Sequence, residues 1–211
     1  DIDDLITSLK SDCGDTGRAT IEAISHYAVE AAILKVIGSE MLDFIADEAV
    51  QIHGGMGYSA EMDVERNYRD SRINRIFEGT NEINRLLVAD TAMKRAMKGD
   101  FDLFGKAAEL YENLDKITAT GMTGESYFEE KSGYISAFKK LILICIHGAV
   151  KKFGKSLVSE QEVMINITNM MMETYLSESL ALRIQKLNSL SDDISVYRDI
   201  LDVNIYDSSH S

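Results

Sequence analysis

Apolar residues recur at every third or fourth position along most of this chain, a spacing that places them on one face of an α-helix. The pattern predicts a short helix over residues 1–10, a turn over 11–17 and a long amphipathic helix over about 18–52. Gly54 and Gly55 then form a common helix stop signal. The apolar face predicted for the long helix contains Ile21, Ile24, Ala28, Ala31, Ala32, Val36, Met41, Phe44, Ile45 and Val50.

The stretch after these glycines loses its regular period before another helix begins. Residues 64–70 are predicted as a short charged helix or turn, and residues 73–81 show no clean period. Asn81 is predicted as the N-cap of a helix over 82–97, because its amide oxygen suits the free N–H groups of a first turn. The apolar face predicted for that helix contains Ile83, Leu86, Leu87, Ala89, Ala92, Met93 and Met97.

A second helical region begins after Gly99. Its predicted helices span 101–117, 128–153, 158–190 and 192–206. A linker is predicted over 118–126, a break at Gly154 and a loose tail at the C-terminus. The chain has no proline, which agrees with long uninterrupted helices. The sequence predicts an all-α fold, with a helical bundle over 1–99 and a helical extension over 100–211.

The charge of the chain and its few cysteines argue against several kinds of partner. The formal net charge of −13 disfavours nucleic acid, whose phosphates are bound by clustered lysines and arginines. Cys13 and Cys145 are far apart and the four histidines lack ligand spacing, so no metal site is predicted. The longest apolar run, residues 141–146, is far shorter than the ~20 residues of a membrane span.

Glu78 is the candidate catalytic base. It follows two apolar residues and precedes Gly79, so it lies in an irregular segment where a carboxylate could lose solvation and gain basicity. A glycine beside it admits a substrate to the backbone, and its N–H can donate to an oxygen. A base next to an amide donor suits removal of a proton beside a carbonyl. The alternative is that Glu78 only pairs with an arginine.

The glycines and arginines around Glu78 also allow two interpretations. Gly54, Gly55 and Gly57 could hold a diphosphate against bare N–H groups, or they could simply end the helix. Arginines between positions 66 and 85 alternate with carboxylates, which favours a salt-bridge lattice over a phosphate site. Arg66 and Asp70 are predicted to pair at i, i+4 spacing.

Two motifs resemble the C-terminal signature of the acyl-CoA dehydrogenases. Residues 51–58 read QIHGGMGY and residues 64–83 read VERNYRDSRINRIFEGTNEI, in the order and spacing of that family. The segment RIFEGTNEI and the extension after Gly99 are most similar to the very-long-chain branch. The resemblance implies the C-terminal bundle of that family, without its N-terminal helical and middle β-domains, so the chain alone should be inactive.

The resemblance also implies roles for individual residues. Glu78 matches the base that takes the α-proton of an acyl-CoA thioester, while FAD takes a hydride from the β-carbon. Phe77 and Gly79 match substrate-binding positions, with the Gly79 N–H donating to the thioester carbonyl. The positions that match cofactor contacts are Gln51, Gly54 and Gly55, which reach the FAD of a neighbouring subunit, and Thr80, Asn81 and Glu82, which contact the FAD of their own.

The partners implied by the resemblance are an acyl-CoA substrate, an electron-transfer flavoprotein and further copies of the chain in a homodimer or a dimer of dimers. It implies a cytoplasmic location in a bacterium and a mitochondrial one in a eukaryote. The extension would pack on the core, or serve in assembly or peripheral membrane contact. The alternative function is a non-catalytic helical module for oligomerisation or assembly that keeps the family scaffold.

Overall fold

Helix is the only regular secondary structure in the computed structural model, which describes residues 2–114, 126–190 and 193–210. No strand occurs within these ranges, so the predicted all-α fold is confirmed. The α-helices are α1 (Ile2–Cys13), α2 (Thr16–His26), α3 (Ala28–His53), α4 (Asp63–Arg72), α5 (Asn81–Lys98), α6 (Leu103–Glu112), α7 (Tyr127–Phe153), α8 (Gln161–Asn188) and α9 (Ser195–His210). Short 3₁₀ helices span Gly54–Tyr58, Ile73–Arg75 and Gly154–Ser159.

The chain divides into two compact units, Asp1–Ala92 and Met93–Ser211, and the division falls within α5. The boundary predicted from the sequence, between residues 99 and 100, falls just after α5 ends and stays a prediction. In the first unit α1 packs on α2, and α3 packs on α4 and on the 3₁₀ helices at either side of α4.

The long helix predicted over residues 18–52 is two helices, which is a correction to the sequence interpretation. Asp15 caps α2, its carboxylate accepting from the N–H of Gly17 at 2.9 Å. The chain then breaks at Tyr27, whose φ of −96° and ψ of 12° leave helical geometry. The predicted turn is also shorter than expected, because α1 continues to Cys13. The stop at Gly54 is confirmed by its φ of 58°.

Much of the predicted apolar face of these helices is exposed. Ile21 is 69% exposed and Phe44 is 66% exposed, whereas Val36 is fully buried. Periodicity identifies a face that is suited to burial, but it cannot say which surface covers that face. In the described parts of the chain nothing covers Ile21 or Phe44, so this part of the predicted apolar face is exposed.

Helix α5 differs from its prediction at the cap and on its apolar face. The Thr80 hydroxyl oxygen accepts from the Ile83 N–H at 3.2 Å, so Thr80 caps the helix. Asn81, predicted as the cap, is the first helical residue and is completely buried. Ala89 and Met93 are buried as predicted, but Ile83 and Met97 are exposed, and Val88 is buried instead.

The second unit is a helical bundle in which α7 packs on α6 and α8, and α8 packs on α9. Leu201 and Ile205 of α9 form a core with Ile184 of α8, and Phe138 of α7 packs against it. The Tyr127 hydroxyl donates to Asp202 at 2.9 Å, which ties the start of α7 to α9.

Several boundaries in this unit differ from the sequence predictions. Helix α6 ends at Glu112, α8 begins at Gln161 because Gly154–Ser159 winds as a 3₁₀ helix, and the C-terminal tail predicted to be loose is helical to His210. The predicted linker lies outside the described residues except for Ser126, which forms a capping box with Glu129.

One stretch of the second unit has the length and hydropathy of a membrane span. Residues Tyr127–Ser159 reach a mean hydropathy of 1.4 over an 18-residue window, whereas the short apolar run at 141–146 suggested no such segment. Core helices of soluble bundles satisfy the same criterion, and α7 is packed against α6 and α8. Composition alone therefore gives weak support for a membrane-spanning role of α7.

Candidate active site

The turn at residues 76–80 carries the unusual backbone of the chain. Glu78 has a φ of 54° and is, among the described residues, the only non-glycine residue with positive φ; Gly79 follows with a φ of 82°. A left-handed backbone costs a residue with a side chain roughly 1–2 kcal/mol. Such strain persists only where surrounding contacts hold it, and it is a recognised mark of functional sites. The turn is therefore the first place to look for chemistry.

Contacts to the Gly79 carbonyl hold this turn. Its oxygen accepts from Lys35 Nζ of α3 at 2.7 Å and from Asn84 Nδ2 of α5 at 2.8 Å. Lys35 Nζ also donates to Asn81 Oδ1 at 2.8 Å. The turn is thus attached both to the helix that follows it and to a helix more than forty residues earlier in the chain.

Asn81 and Arg85 extend the attachment along the same face of α3. Asn81 Nδ2 donates to Ser39 Oγ at 2.9 Å and to Glu40 Oε1 at 3.2 Å. Both Arg85 Nη atoms donate to the two oxygens of Glu40 at 2.8 Å. Burial raises the pKa of Glu40, but its bonds from Arg85 and Asn81 outweigh that effect, and the pKa lies below its usual value.

The arginines form the predicted salt-bridge lattice, with different partners. Arg75 Nη1 donates to Asp43 Oδ2 of α3 at 2.7 Å. Arg66 pairs with Asp63, which lies three residues before it on α4, and not with the predicted Asp70. These pairs neutralise the arginines locally, which supports the lattice interpretation over a phosphate patch.

The exposed side of the turn presents the predicted substrate residues. Phe77, Glu78 and Gly79 are all exposed. No described residue accepts a hydrogen bond from the Gly79 N–H, although its carbonyl is bonded twice. The sequence suggested that apolar neighbours would desolvate Glu78. Within the described residues they do not, because Ile76 and Phe77 are themselves exposed.

The predicted cofactor residues fall into two groups. Thr80, Asn81 and Glu82 adjoin the strained turn. The pKa of the exposed Glu82 lies below its usual value, because its own N–H and then the Thr80 hydroxyl bond to it.

Gln51, Gly54 and Gly55 lie at the C-terminal end of α3 and are exposed. Ser39, which holds the turn, precedes Gln51 by 12 residues on that helix. At 1.5 Å per residue the two groups are separated by about 18 Å along α3. The fold therefore does not bring the two cofactor groups into one cluster within this unit.

Gly57 has a packing reason to be glycine. A Cβ at Gly57 would lie 2.7 Å from the Val50 carbonyl oxygen and 2.8 Å from His53 Cβ. A Cβ at Gly54 or Gly55 would meet no atom within 4 Å. Gly54 and Gly55 therefore leave the backbone accessible to a ligand. Gly57 instead allows the segment to pack closely against α3.

A groove between α3 and α4 is a concavity near this region. It is lined by Leu42, Ile45, Ala49 and Val64, with Asn67 among its polar residues. None of the predicted site residues lines it. The chemistry predicted from the sequence is therefore associated with an exposed turn and not with this groove.

Sequence reasoning missed the polar side chains of α3 that bond to residues between positions 75 and 85. Lys35, Ser39, Glu40 and Asp43 are polar positions at i, i+4, i+5 and i+8 of a largely apolar helix. That spacing places them on one face, which was the available signal. Their partners lie more than thirty residues away in sequence, so their roles required the tertiary structure.

The two helical regions match two protein families that have the same description. Residues 15–93 match the family described as acyl-CoA dehydrogenase, C-terminal domain, and residues 137–209 match a second family of the same description. Together the matches span more than half of the chain. The chain therefore carries the C-terminal domain of the acyl-CoA dehydrogenase family.

Individual relatives agree with this assignment. A probable acyl-CoA dehydrogenase of Bacillus subtilis (strain 168) is 46% identical over 170 residues, covering 81% of this chain and 28% of the relative. A solved structure of an acyl-CoA dehydrogenase complexed with FAD from Bacillus anthracis is similar with a TM-score of 0.86 and 38% identity, covering 98% of this chain and 36% of that one. The chain thus spans less than half the length of both proteins.

The relatives do not single out one branch of the family. Over 68 residues, which are 32% of this chain, a short-chain specific enzyme of Bos taurus is 52% identical and a very long-chain specific enzyme of Rattus norvegicus is 53% identical. These matches cover 16% and 10% of the respective relatives. The particular similarity to the very-long-chain branch expected from the sequence is therefore not specifically supported, whereas family membership is.

Proposed function

We propose that this chain is the C-terminal part of an FAD-dependent acyl-CoA dehydrogenase, which converts a fatty acyl-CoA to a trans-2-enoyl-CoA. The observation that carries the proposal is the turn at Glu78 and Gly79. There a glutamate with a left-handed backbone lies beside a glycine whose N–H donates to no described residue, and both residues are exposed. Lys35 of α3 bonds the Gly79 carbonyl. Such an arrangement serves proton removal next to a carbonyl, because the base and the donor face the same ligand.

In this proposal Glu78 is the catalytic base and Gly79 supplies the donor for the thioester oxygen. Glu78 takes the proton of the α-carbon, and the Gly79 N–H stabilises the negative charge that develops on the carbonyl oxygen. When bound, FAD supplies the redox chemistry by accepting a hydride from the β-carbon, so that the α,β double bond forms. Phe77 flanks the acyl chain and helps to exclude water from the base.

The residues predicted to hold FAD fit the group in most respects. The exposed backbone at Gly54 and Gly55 has room for a ligand where a side chain would stand, and Gln51 offers an exposed amide beside it. Thr80 and Glu82 lie at the start of α5, next to the proposed base. The Asn81 side chain is buried and bonded to α3, so its contact to FAD would come from the main chain.

The separation of the two cofactor groups along α3 supports an assembled enzyme. Thr80, Asn81 and Glu82 would contact the FAD of their own subunit, and the distant glycines would contact that of a neighbour, in a homodimer or a dimer of dimers. Exposed apolar residues of α3, among them Leu34, Met41 and Phe44, offer area for such contacts. The 211 residues alone should be inactive, because they contain only part of these contacts.

The proposed electron acceptor is an electron-transfer flavoprotein, and the enzyme would work in the cytoplasm of a bacterium or in a mitochondrion. The second unit would pack on the enzyme core or contribute to assembly or peripheral membrane contact. A non-catalytic assembly module is the alternative function. It has no need of a strained glutamate beside a free N–H donor, so this turn favours the enzyme.

The test uses the gene product that carries these residues, mixed anaerobically with short-chain and long-chain acyl-CoA. We expect the visible absorbance of the flavin to bleach, and the rate of bleaching to give the preferred chain length. Glu78→Gln should abolish bleaching while retaining flavin, and Glu61→Gln, which changes an exposed glutamate outside the site, should bleach normally. A protein that purifies without flavin would favour the assembly module, and equal bleaching with Gln at position 78 would refute Glu78 as the base.

A further inference from the structure

Lys35 of α3 binds the strained turn through its charged side chain. Its Nζ lies 2.7 Å from the Gly79 carbonyl oxygen and 2.8 Å from Asn81 Oδ1. The side chain is half-buried on α3, 44 positions before Gly79. Hydrogen bonds from a charged donor are roughly twice as strong as neutral ones, so Lys35 is a strong attachment between α3 and the turn.

The Gly79 carbonyl is the part of the turn that most needs an attachment. Glycine has more backbone freedom than any other residue, and the φ of 82° at Gly79 is one of several conformations open to it. Fixing the carbonyl fixes the peptide plane that follows Gly79. The Gly79 N–H belongs to the preceding peptide plane, which it shares with the Glu78 carbonyl, and the two planes are joined at the Gly79 Cα. Fixing the following plane therefore limits the motion of the turn that carries Glu78 and the Gly79 N–H. Asn84 bonds the same oxygen from within the turn's own helix, whereas Lys35 ties it to α3.

We propose that Lys35 is a positioning residue that fixes the Gly79 carbonyl and so holds the turn in the conformation that presents Glu78 and the Gly79 N–H to the substrate. The proposal rests on the function proposed above. Lys35 is bonded to the protein side of the turn and contacts neither substrate nor cofactor in this scheme. Its effect should be larger on the transition state than on the bound substrate, because the charge on the thioester oxygen grows as the α-proton leaves.

Lys35→Met tests this role, because methionine keeps much of the apolar stem and removes all donors. The complete flavoprotein should keep its flavin, and kcat should fall roughly 10- to 100-fold with little change in KM, the size expected when a reacting group is slightly misplaced. Lys35→Arg restores a charged donor and should recover part of kcat.

A spectroscopic measurement separates positioning from a general loss of structure. In a 3-thiaacyl-CoA the sulfur acidifies the α-carbon, so the bound ligand ionises and its absorbance reports the ionisation. A well-placed Gly79 N–H stabilises the ionised ligand. Lys35→Met should therefore raise the apparent pKa of the bound ligand by about one unit, which corresponds to a tenfold weaker stabilisation.

Asp43→Asn is the matched control. Asp43 lies on the same face of α3 and holds Arg75 at 2.7 Å, but it does not bond to Gly79. It should leave the pKa of the bound ligand unchanged. Amide hydrogen exchange gives a readout that needs no catalysis, and exchange at residues 77–81 should accelerate in Lys35→Met more than in Asp43→Asn.

The outcomes distinguish failure of this inference from failure of the proposed function. An unchanged ligand pKa together with unchanged exchange in Lys35→Met would overturn the positioning role, as would equal shifts in Asp43→Asn. If wild-type flavin is not bleached by any acyl-CoA, the proposed function fails and the inference fails with it. Bleaching in wild type with normal kcat in Lys35→Met would refute the inference alone.

Discussion

Arg85 of α5 binds both carboxylate oxygens of Glu40 of α3 at 2.8 Å, which joins the two helices on either side of the strained turn. The Arg85 side chain is 16% exposed and that of Glu40 is 35% exposed, so the pair is shielded more than the surface pairs of α4. The two planar groups meet in the bidentate geometry in which arginine binds carboxylates most specifically. This pair is a principal support of the turn.

Glu40→Gln should reduce the free energy of unfolding. It removes the carboxylate that binds both Nη atoms of the partly buried Arg85, and hydrogen bonds to charged groups contribute about 1.5–3 kcal/mol. Urea unfolding of the complete protein measures the change. Asp63→Asn is the control, because the Asp63 pair with Arg66 is highly exposed and such pairs contribute about 0–1 kcal/mol. Equal losses in the two variants would contradict the importance assigned to Glu40.

The contribution of Glu40 should depend on pH. Its folded-state pKa lies below the ordinary value of 4.5, so the unfolded chain binds the proton more readily. The stabilisation is therefore fully present above 4.5 and disappears as the pH falls through the lowered folded-state pKa. Unfolding of wild type and Glu40→Gln compared at several pH values should show their difference shrinking in acid. A constant difference would refute the assignment.

Gly55→Ala and Gly57→Ala should separate cofactor binding from packing. A Cβ at Gly55 meets nothing within 4 Å, so folding should be unaffected while flavin affinity falls. A Cβ at Gly57 would lie 2.7 Å from the Val50 carbonyl oxygen, and relieving that overlap should cost about 1–3 kcal/mol of stability. Thermal unfolding and flavin content per subunit distinguish the two effects. Unchanged flavin affinity in Gly55→Ala would argue against its cofactor role.

Two replacements of Glu78 should differ in stability although both remove the carboxylate. Asparagine adopts the left-handed region more readily than glutamine, and Glu78 has a φ of 54°. Glu78→Asn should therefore be more stable than Glu78→Gln by about 0.5 kcal/mol, a part of the roughly 1–2 kcal/mol cost of that conformation. Equilibrium unfolding of both variants tests this, and both should be inactive as dehydrogenases. Equal stability would mean that the turn relaxes when Glu78 is replaced.

The sequence determined the helical class and the position of the strained turn. Absence of proline and a helical apolar period were sufficient for the fold, because both are local properties of the chain. Gly54 ended its helix as predicted, since positive φ is a local property that glycine permits. The family motifs marked Glu78 and Gly79, although their roles in the reaction remain proposals.

Local sequence signals were insufficient to predict three other features of the fold: the break at Tyr27, the helical C-terminal tail and the cap of α5. The break at Tyr27 interrupts a continuous apolar period, and the C-terminal tail joins α9 because Leu201 and Ile205 find a core in α8. Asparagine is a common N-cap residue, yet the Asn81 side chain is buried against α3. Thr80 caps the helix instead. For the C-terminal tail and for Asn81, a contact distant in sequence outweighed the local preference.

The sequence by itself determined that this chain is a set of helices around one irregular, glycine-containing turn with a glutamate. Only the tertiary structure decided that Lys35, Ser39 and Glu40 hold that turn, and that its Gly79 N–H donates to no residue in the part of the chain that the structure describes. The physical reason is that helical periods and glycine conformations arise within a few residues. A hydrogen bond across more than forty residues exists only once the helices have packed.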